Sequence, residues 1–368
     1  MKNYLLLLVA LFFACLHPLT AQTEAPVRIG VDGLTHDHIH SLLRGYGKRT
    51  DVVIVGIAEA NRALAERLAA RYGFDIAIVY DDLETMLNET RPQGVVAFNS
   101  IYEHLHTVEV CAPRGIPVMV EKPLAVNSEH AAKMAGLARR YNTPVLTNYE
   151  TSWYPSNHAA RRTVAASPGI GAIRKVVICD GHKGPREIGC SEEFLAWLTD
   201  PILNGGGAVV DFGCYGANLM TWLMENELPQ SVTAVLSTLK PDVYPEVDDQ
   251  ATIILTYPHC QAIVQGSWNW PVDRKDMEIY GAKGYVKAPD ANSLLYRPTR
   301  EKPEVALRPD PLPENEREPF AYFAALIKGI IEIKPADLAS LENNLVVVEI
   351  LDAARRSAQE NRTIFLSE

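Results

Sequence analysis

Ile116-Pro117-Val118-Met119-Val120-Glu121-Lys122-Pro123 places a short β-rich apolar run between Gly115 and a proline. Such a run reads as a buried strand. Pro123 cannot donate to a ladder, so the strand ends there and Lys122 is held at its C-terminal edge. In open α/β sheets that edge is where ligands bind. A lysine in a partly desolvated cleft is expected to have a lowered pKa and to move protons near neutral pH. Taken alone, a Lys-Pro pair is more often a surface lysine at a strand end, so the weight falls on the rest of the chain.

Outward from this run, residues 27–149 alternate short apolar strands with longer helical stretches. Strands are expected at 27–31, 52–58, 76–80, 94–98, 118–120 and 144–147. Helices are expected at 37–46, 61–72 (closed by Gly73), 83–87, 104–114 and 128–141, the last with Ser128 as N-cap. Strand–helix alternation with apolar strands predicts a Rossmann-type, doubly wound parallel sheet covered on both faces, over residues 26–150. After Trp153 the strands come in runs, at 173–180, 231–239, 251–257, 261–268, 276–280 and 284–287, with helices at 216–224, 319–331 and 340–359. Residues 151–368 are therefore expected to form an α+β domain with a large, mostly antiparallel sheet, serving substrate binding and oligomerisation.

Residues 1–21 stand apart from both domains. Lys2, the apolar stretch Tyr4 to Leu16 and Leu19-Thr20-Ala21 before Gln22 read as a Sec-type signal peptide cleaved near Ala21. The stretch is too short to span a bilayer, and no later stretch is long and apolar enough. The mature protein is thus expected to be exported and periplasmic. Loss of Lys2 takes the formal net charge from −10 to about −11. With no basic cluster, nucleic acid is excluded as a partner. Five cysteines follow the signal, Cys111, Cys179, Cys190, Cys214 and Cys260. Their odd number, wide spacing and lack of CxxC exclude a disulfide scaffold or zinc ribbon, leaving room for one disulfide.

The first strand–turn–helix is where a dinucleotide fold holds pyrophosphate on backbone N–H groups. The glycine pattern expected there is broken: Gly33-Leu34-Thr35-His36-Asp37-His38 has Thr35 and His38 at the second and third glycine positions. Glu59, at the end of the second strand, can accept from both ribose hydroxyls and would repel a 2′-phosphate, which favours NAD over NADP. His36, His38 and His40 alternate. On a helix His36 and His40 would share a face, and with Asp32 or Asp37 could hold a metal. Imidazoles lining a cleft at a helix N-terminus are the commoner arrangement, so no metal is expected. In the second domain, Asn204-Gly205-Gly206-Gly207 leads into an apolar stretch carrying Asp211 and Tyr215. A tyrosine beside a lysine can exchange protons, because cationic neighbours lower its pKa, although alone Tyr215 is more often a core aromatic.

Together these segments resemble the Gfo/Idh/MocA oxidoreductase family over nearly all of the mature chain. The resemblance runs through Gly94-Val95-Val96-Ala97-Phe98 with Asn99-Ser100-Ile101 after it, His104, Glu121-Lys122-Pro123-Leu124-Ala125 and Gly205 through Asn218. Tyr215 stands at the family's histidine position, as in its glucose–fructose oxidoreductase and dihydrodiol dehydrogenase branches. The resemblance implies a nicotinamide on the first domain, contacted by Gly33, Thr35, His36, His38, Glu59, Asn99, His104 and Glu121. It also implies a sugar or polyol against the second domain's sheet, Lys122 sharing a proton with Tyr215, and Asp211 orienting the substrate or Tyr215. Trp153, His182, Lys183 and Arg186 are candidates for substrate contacts. A homodimer or tetramer through the open sheet face is expected as well. The implied activity is an exported NAD(P)-dependent oxidoreductase. The alternatives are a redox-neutral NAD-dependent glycosidase or lyase, with hydride returned within the cycle, and a non-catalytic sugar-binding protein on a decayed scaffold.

Overall fold

The computed structural model describes residues 25–166 and 169–366, so the expected signal peptide lies outside the described residues. Six strands form the first sheet: β1 (Val27–Asp32), β2 (Val52–Ala58), β3 (Val79–Tyr80), β4 (Gly94–Ala97), β5 (Val118–Glu121) and β6 (Val145–Asn148). All pair in parallel, in the order β3-β2-β1-β4-β5-β6. The order reverses between β1 and β4, and the crevice at that switch point, beyond the strands' C-terminal ends, is where such sheets bind ligands. β4 and β5 are buried along their whole length, which is why they read as unbroken apolar runs.

Local chemistry sets the helix boundaries. Asn61 caps the helix Arg62–Tyr72 by accepting the Leu64 N–H at 3.1 Å, and left-handed Gly73 closes it. The N-cap of Ser128–Tyr141 is Asn127, which accepts the His130 N–H at 2.8 Å; the expected cap, Ser128, is the first helical residue. The expected helix at 37–46 shrinks to Ile39–Arg44, because the chain before it turns to meet other partners. The His36 N–H donates to the Phe98 carbonyl at 2.9 Å, and the Leu34 N–H to Glu59 at 2.8 Å.

The second sheet has nine strands: β7 (Ile173–Gly181), β8 (Ser231–Ser237), β9 (Gln250–Thr256), β10 (Gln261–Ser267), β11 (Arg274–Gly281), β12 (Tyr285–Asp290), β13 (Ser293–Arg297), β14 (Val305–Leu307) and β15 (Ile364–Phe365). Their order is β14-β13-β12-β11-β7-β10-β9-β8-β15, antiparallel except for the β7–β10 pair. The helices Gly213–Leu223 and Leu341–Glu360 pack on one face of it. The five cysteines are all free.

The C-terminal part does not stay with the second sheet. Phe320, Phe323 and Ala324 of the helix Pro319–Ile327 join the core of the first domain, and Leu341 and Val348 also pack there. Gly94 makes room for this return: a Cβ on it would lie 2.8 Å from the Phe323 ring and 2.6 Å from Ile327.

Candidate active site

β5 delivers Lys122 to the boundary between the domains, where it is 4 % exposed. Its ammonium donates to the Asp211 backbone carbonyl at 2.9 Å and also to the Asp211 carboxylate. Asp211 ends the helical turn Ala208–Asp211, and its second carboxylate oxygen accepts the Trp268 indole N–H at 2.8 Å. The lowered lysine pKa expected from burial is not found. Burial does push Lys122 down, but the Asp211 charge outweighs it and the net displacement is upward. Burial likewise pushes Asp211 up, and Lys122 with its hydrogen bond reverses the sign. The pair is an ammonium and a carboxylate.

The Lys122 ammonium lies 5.2 Å from the Tyr215 ring centroid and 5.7 Å from that of Phe212, and the Lys275 ammonium lies 5.0 Å from the Tyr215 ring. Two cations thus sit against the π-system of Tyr215. Contrary to expectation they do not lower its pKa. Burial raises it well above the ordinary value, so the phenol keeps its proton. Lys122, Asp211, Phe212, Tyr215, Lys275 and His182 border a cavity of about 340 Å³. Burial holds His182 below its ordinary pKa despite the attraction of Asp211.

On the first-domain side of this cavity, the His38 imidazole Nδ1 is 2.8 Å from one Glu121 oxygen. The Asn148 amide donates to the other at 2.7 Å, and Trp153 donates its indole N–H to Asn148 at 2.9 Å. Burial would raise the Glu121 pKa, but His38, Asn148 and Lys122 together hold it low. His36 is 1 % exposed, seated against Phe194, Trp197 and the His38 ring. Burial first, then the charges of His38 and Lys122, keep it well below its usual pKa and therefore neutral. His40 turns away, its Nδ1 3.0 Å from the Tyr72 hydroxyl. His36 and His40 do not share a helix face, because the helix begins only at Ile39.

A second cavity, of about 260 Å³, lies beyond the C-terminal ends of β1, β2 and β4, bordered by Gly33, Thr35, Glu59 and Asn99. The segment 33–38 separates the two cavities: Gly33 and Thr35 face this one, Asp37 and His38 the other. The residues fit a dinucleotide here. Gly33 has φ +82°, and a Cβ on it would meet the Asn99 backbone nitrogen at 2.8 Å. Glu59 is held by N–H groups of Leu34 and Asn61 with lone pairs to spare, and the buried Asn99 Oδ1 has no partner. Asp32, Asp81, Asp82, Glu84 and Glu103 share the lining, an environment hostile to a 2′-phosphate. Burial raises Glu59 above its usual pKa and Asp32 to about 6.

Other sequence candidates fall elsewhere. His104 is fully buried, its Nδ1 3.2 Å from the Leu124 carbonyl and its pKa pushed down to about 4 by burial; it borders neither cavity. Lys183 and Arg186 are exposed and border neither, and Trp153 acts behind Asn148. Sequence reasoning missed Trp268 and Lys275. It also missed the role of Asp37, whose carboxylate accepts the Ser191 N–H at 2.9 Å and hydroxyl at 2.6 Å, tying the first loop to the second-domain helix Glu192–Leu198. A tryptophan directly after a strand was the available signal for the first; the Asp37–Ser191 link leaves none in the linear pattern.

Comparison with known proteins agrees with this architecture. The profile described as "Oxidoreductase family, NAD-binding Rossmann fold" matches residues 27–149, and the "GFO/IDH/MocA C-terminal domain" matches residues 158–287. A trans-1,2-dihydrobenzene-1,2-diol dehydrogenase of Xenopus tropicalis is 25 % identical over 317 residues, covering 83 % of this chain and 89 % of the relative. A D-glucoside 3-dehydrogenase of Escherichia coli is 25 % identical over 218 residues, covering 58 % and 59 %. Among solved structures, an inositol dehydrogenase homolog from Azotobacter vinelandii complexed with NAD+ superposes with a TM-score of 0.79 at 18 % identity, covering 93 % of this chain and 98 % of that one. An aldose-aldose oxidoreductase from Caulobacter crescentus gives 0.76 at 21 % identity, covering 93 % and 100 %. Fold, two-domain order and the two matched profiles together place this chain in the Gfo/Idh/MocA family of oxidoreductases, with an NAD-binding Rossmann domain at its N-terminal end.

Proposed function

We propose that this protein oxidises or reduces a C–OH/C=O centre of a sugar, polyol or related diol, with Lys122 and Tyr215 handling the proton. The observation that carries the reading is the buried Lys122–Asp211–Trp268 array against Tyr215, in a cavity that shares the 33–38 segment with the Glu59 cavity. Gly33, Glu59 and Asn99 would hold NAD, which supplies or accepts the hydride. The Lys122 ammonium donates to the substrate oxygen and stabilises alkoxide character as the C–H bond breaks or forms. In the reductive direction Tyr215, kept protonated by burial, donates its proton to the substrate oxygen as the hydride reaches carbon. In the oxidative direction the hydroxyl proton returns to the tyrosine oxygen, whose anion the Lys122 and Lys275 ammonium groups stabilise. Asp211 holds Lys122 charged and aimed. The diol and glucoside substrates named for the relatives make vicinal hydroxyls the first substrates to try.

The test is NADH formation on a panel of aldoses, glucosides, inositols and vicinal diols. Tyr215→Phe should lower kcat by about 10²–10⁴-fold with little change in Tm. Wild-type-like turnover in Tyr215→Phe would remove the tyrosine from the mechanism, and failure to bind NAD would remove the whole reading. We also propose export through residues 1–21, checked by the N-terminal mass of protein from the periplasm. Export favours a second reading, a redox-neutral cycle in which the hydride returns to a second substrate. Product formation without net NADH would distinguish it. A homo-oligomer through the outward sheet face, where Val235 is exposed, completes the proposal and is tested by sedimentation.

A further inference from the structure

Among the described residues, His36, His38 and Glu121 place one ligand-capable atom each within 4.8 Å of the other two. Two imidazoles and one carboxylate, from a loop and from a strand end 83 residues beyond His38, converge where His38 borders the Lys122 cavity, with His36 and Glu121 buried behind it. We propose that these three residues form a binding site for a divalent first-row transition metal, with its open positions facing the cavity. The inference goes beyond the dehydrogenase reading, and its test does not use catalysis.

The donor set suits such an ion. Two neutral imidazoles with one carboxylate leave coordination positions free, the pattern of open Zn²⁺ and non-haem Fe²⁺ sites, whereas Mg²⁺ and Ca²⁺ prefer oxygen. The surroundings also have the build of a metal site. Asn148 holds the Glu121 oxygen that does not face His38, and Trp153 holds Asn148, so the carboxylate is oriented from behind. Phe194 and Trp197 fix the buried His36 ring. The ion would take the place of the proton shared by His38 Nδ1 and Glu121. Coordination through His36 Nδ1 would release the His38 N–H that this atom now accepts at 3.1 Å; coordination through Nε2 would reverse the ring's tautomer. The Lys122 ammonium repels a cation here, and the Asp211 carboxylate bound to it offsets that charge. An ion so placed would bind oxygen donors entering the cavity, such as the paired hydroxyls of a polyol.

The experiment is titration of untagged, metal-stripped full-length protein with Co²⁺, read by its visible absorption, and with Zn²⁺ in competition against a chromophoric chelator. The expected result is one equivalent bound. His38→Gln and Glu121→Gln should each weaken binding by at least about 10-fold, and Asn148→Ala by about 10-fold through loss of the outer hydrogen bond. His40→Gln, on the same loop but turned to Tyr72, should bind as wild type. His38 is partly exposed and Glu121→Gln keeps its shape, so neither result depends on a collapsed fold. Absence of saturable binding would overturn the proposal. So would wild-type affinity in both His38→Gln and Glu121→Gln, or an equal loss in His40→Gln.

Discussion

Removing the Lys122 side chain while Asp211 keeps its carboxylate leaves an anion 5 % exposed, with the Trp268 indole as its side-chain donor. Breaking a buried ion pair from one side costs about 3–5 kcal/mol, whereas removing both charges is far milder. Lys122→Met should therefore be strongly destabilised in denaturant unfolding. Lys122→Met/Asp211→Asn should recover most of that loss while remaining inactive. If the double variant is no more stable than the single, the pair is not a coupled unit. A second buried carboxylate gives a pH signature. Asp32 accepts from Thr107 at 2.5 Å and Asn99 at 3.1 Å, and burial lifts its pKa from 3.8 to about 6. Between those values the native state keeps a proton that the unfolded chain releases, so this group's contribution falls as pH rises from about 4 to 6, by up to about 3 kcal/mol. Asp32→Asn should remove that decline. The stability difference between variant and wild type, measured at pH 4 and pH 7, should grow in the variant's favour; a difference independent of pH would contradict the assignment.

At the scale of elements, Gly33 is the point on which both cavities depend. Its left-handed backbone and contact with Asn99 admit no side chain, so Gly33→Ala must displace either the loop or β4. The expected outcome is loss of NAD binding by at least about 10-fold, read by fluorescence titration, with a lowered Tm. Unchanged NAD affinity would show that the dinucleotide does not approach this turn. The same region shows what the sequence could and could not disclose. The apolar runs around Val95 and Val120 announced a parallel sheet because strands buried on both faces leave no alternation, and Glu121-Lys122-Pro123 marked a strand's end because proline stops the ladder. The helix expected from Asp37 begins only at Ile39, because the segment leading into it is tied elsewhere. The Leu34 and His36 amides are taken by Glu59 and by Phe98, a competition between distant groups that no local spacing reveals. His38 with Glu121, and Lys122 with Asp211, are likewise contacts across 83 and 89 residues. Local pattern located each partner near a strand or helix end; only the sheet order brought them together.

For the whole molecule, the two domains share cores as well as a cleft. Asp37 and Ser191 join them at the active site, and the helix Pro319–Ile327 joins them behind it. Phe323 is fully buried against the first domain. Phe323→Ala should cost about 3–5 kcal/mol, and the loss should appear in the first domain although the residue lies near the other end of the chain. Hydrogen exchange of β1 and β4 amides would measure it. Faster exchange confined to the second sheet would show that the helix does not support the first.

The return of Pro319–Ile327 and of Leu341 and Val348 to the first domain also sets an order of events during synthesis. Residues 26–150 emerge first, yet two of their apolar surfaces find their covers only after about 170 to 200 further residues have been made. A nascent chain halted after β6 would carry those surfaces bare, so it should be soluble only while something else shields them. The last fifth of the polypeptide is thus what commits residues 26–150, about a third of it, to their native form, and completion of the nucleotide-binding domain is postponed until almost the entire chain is present.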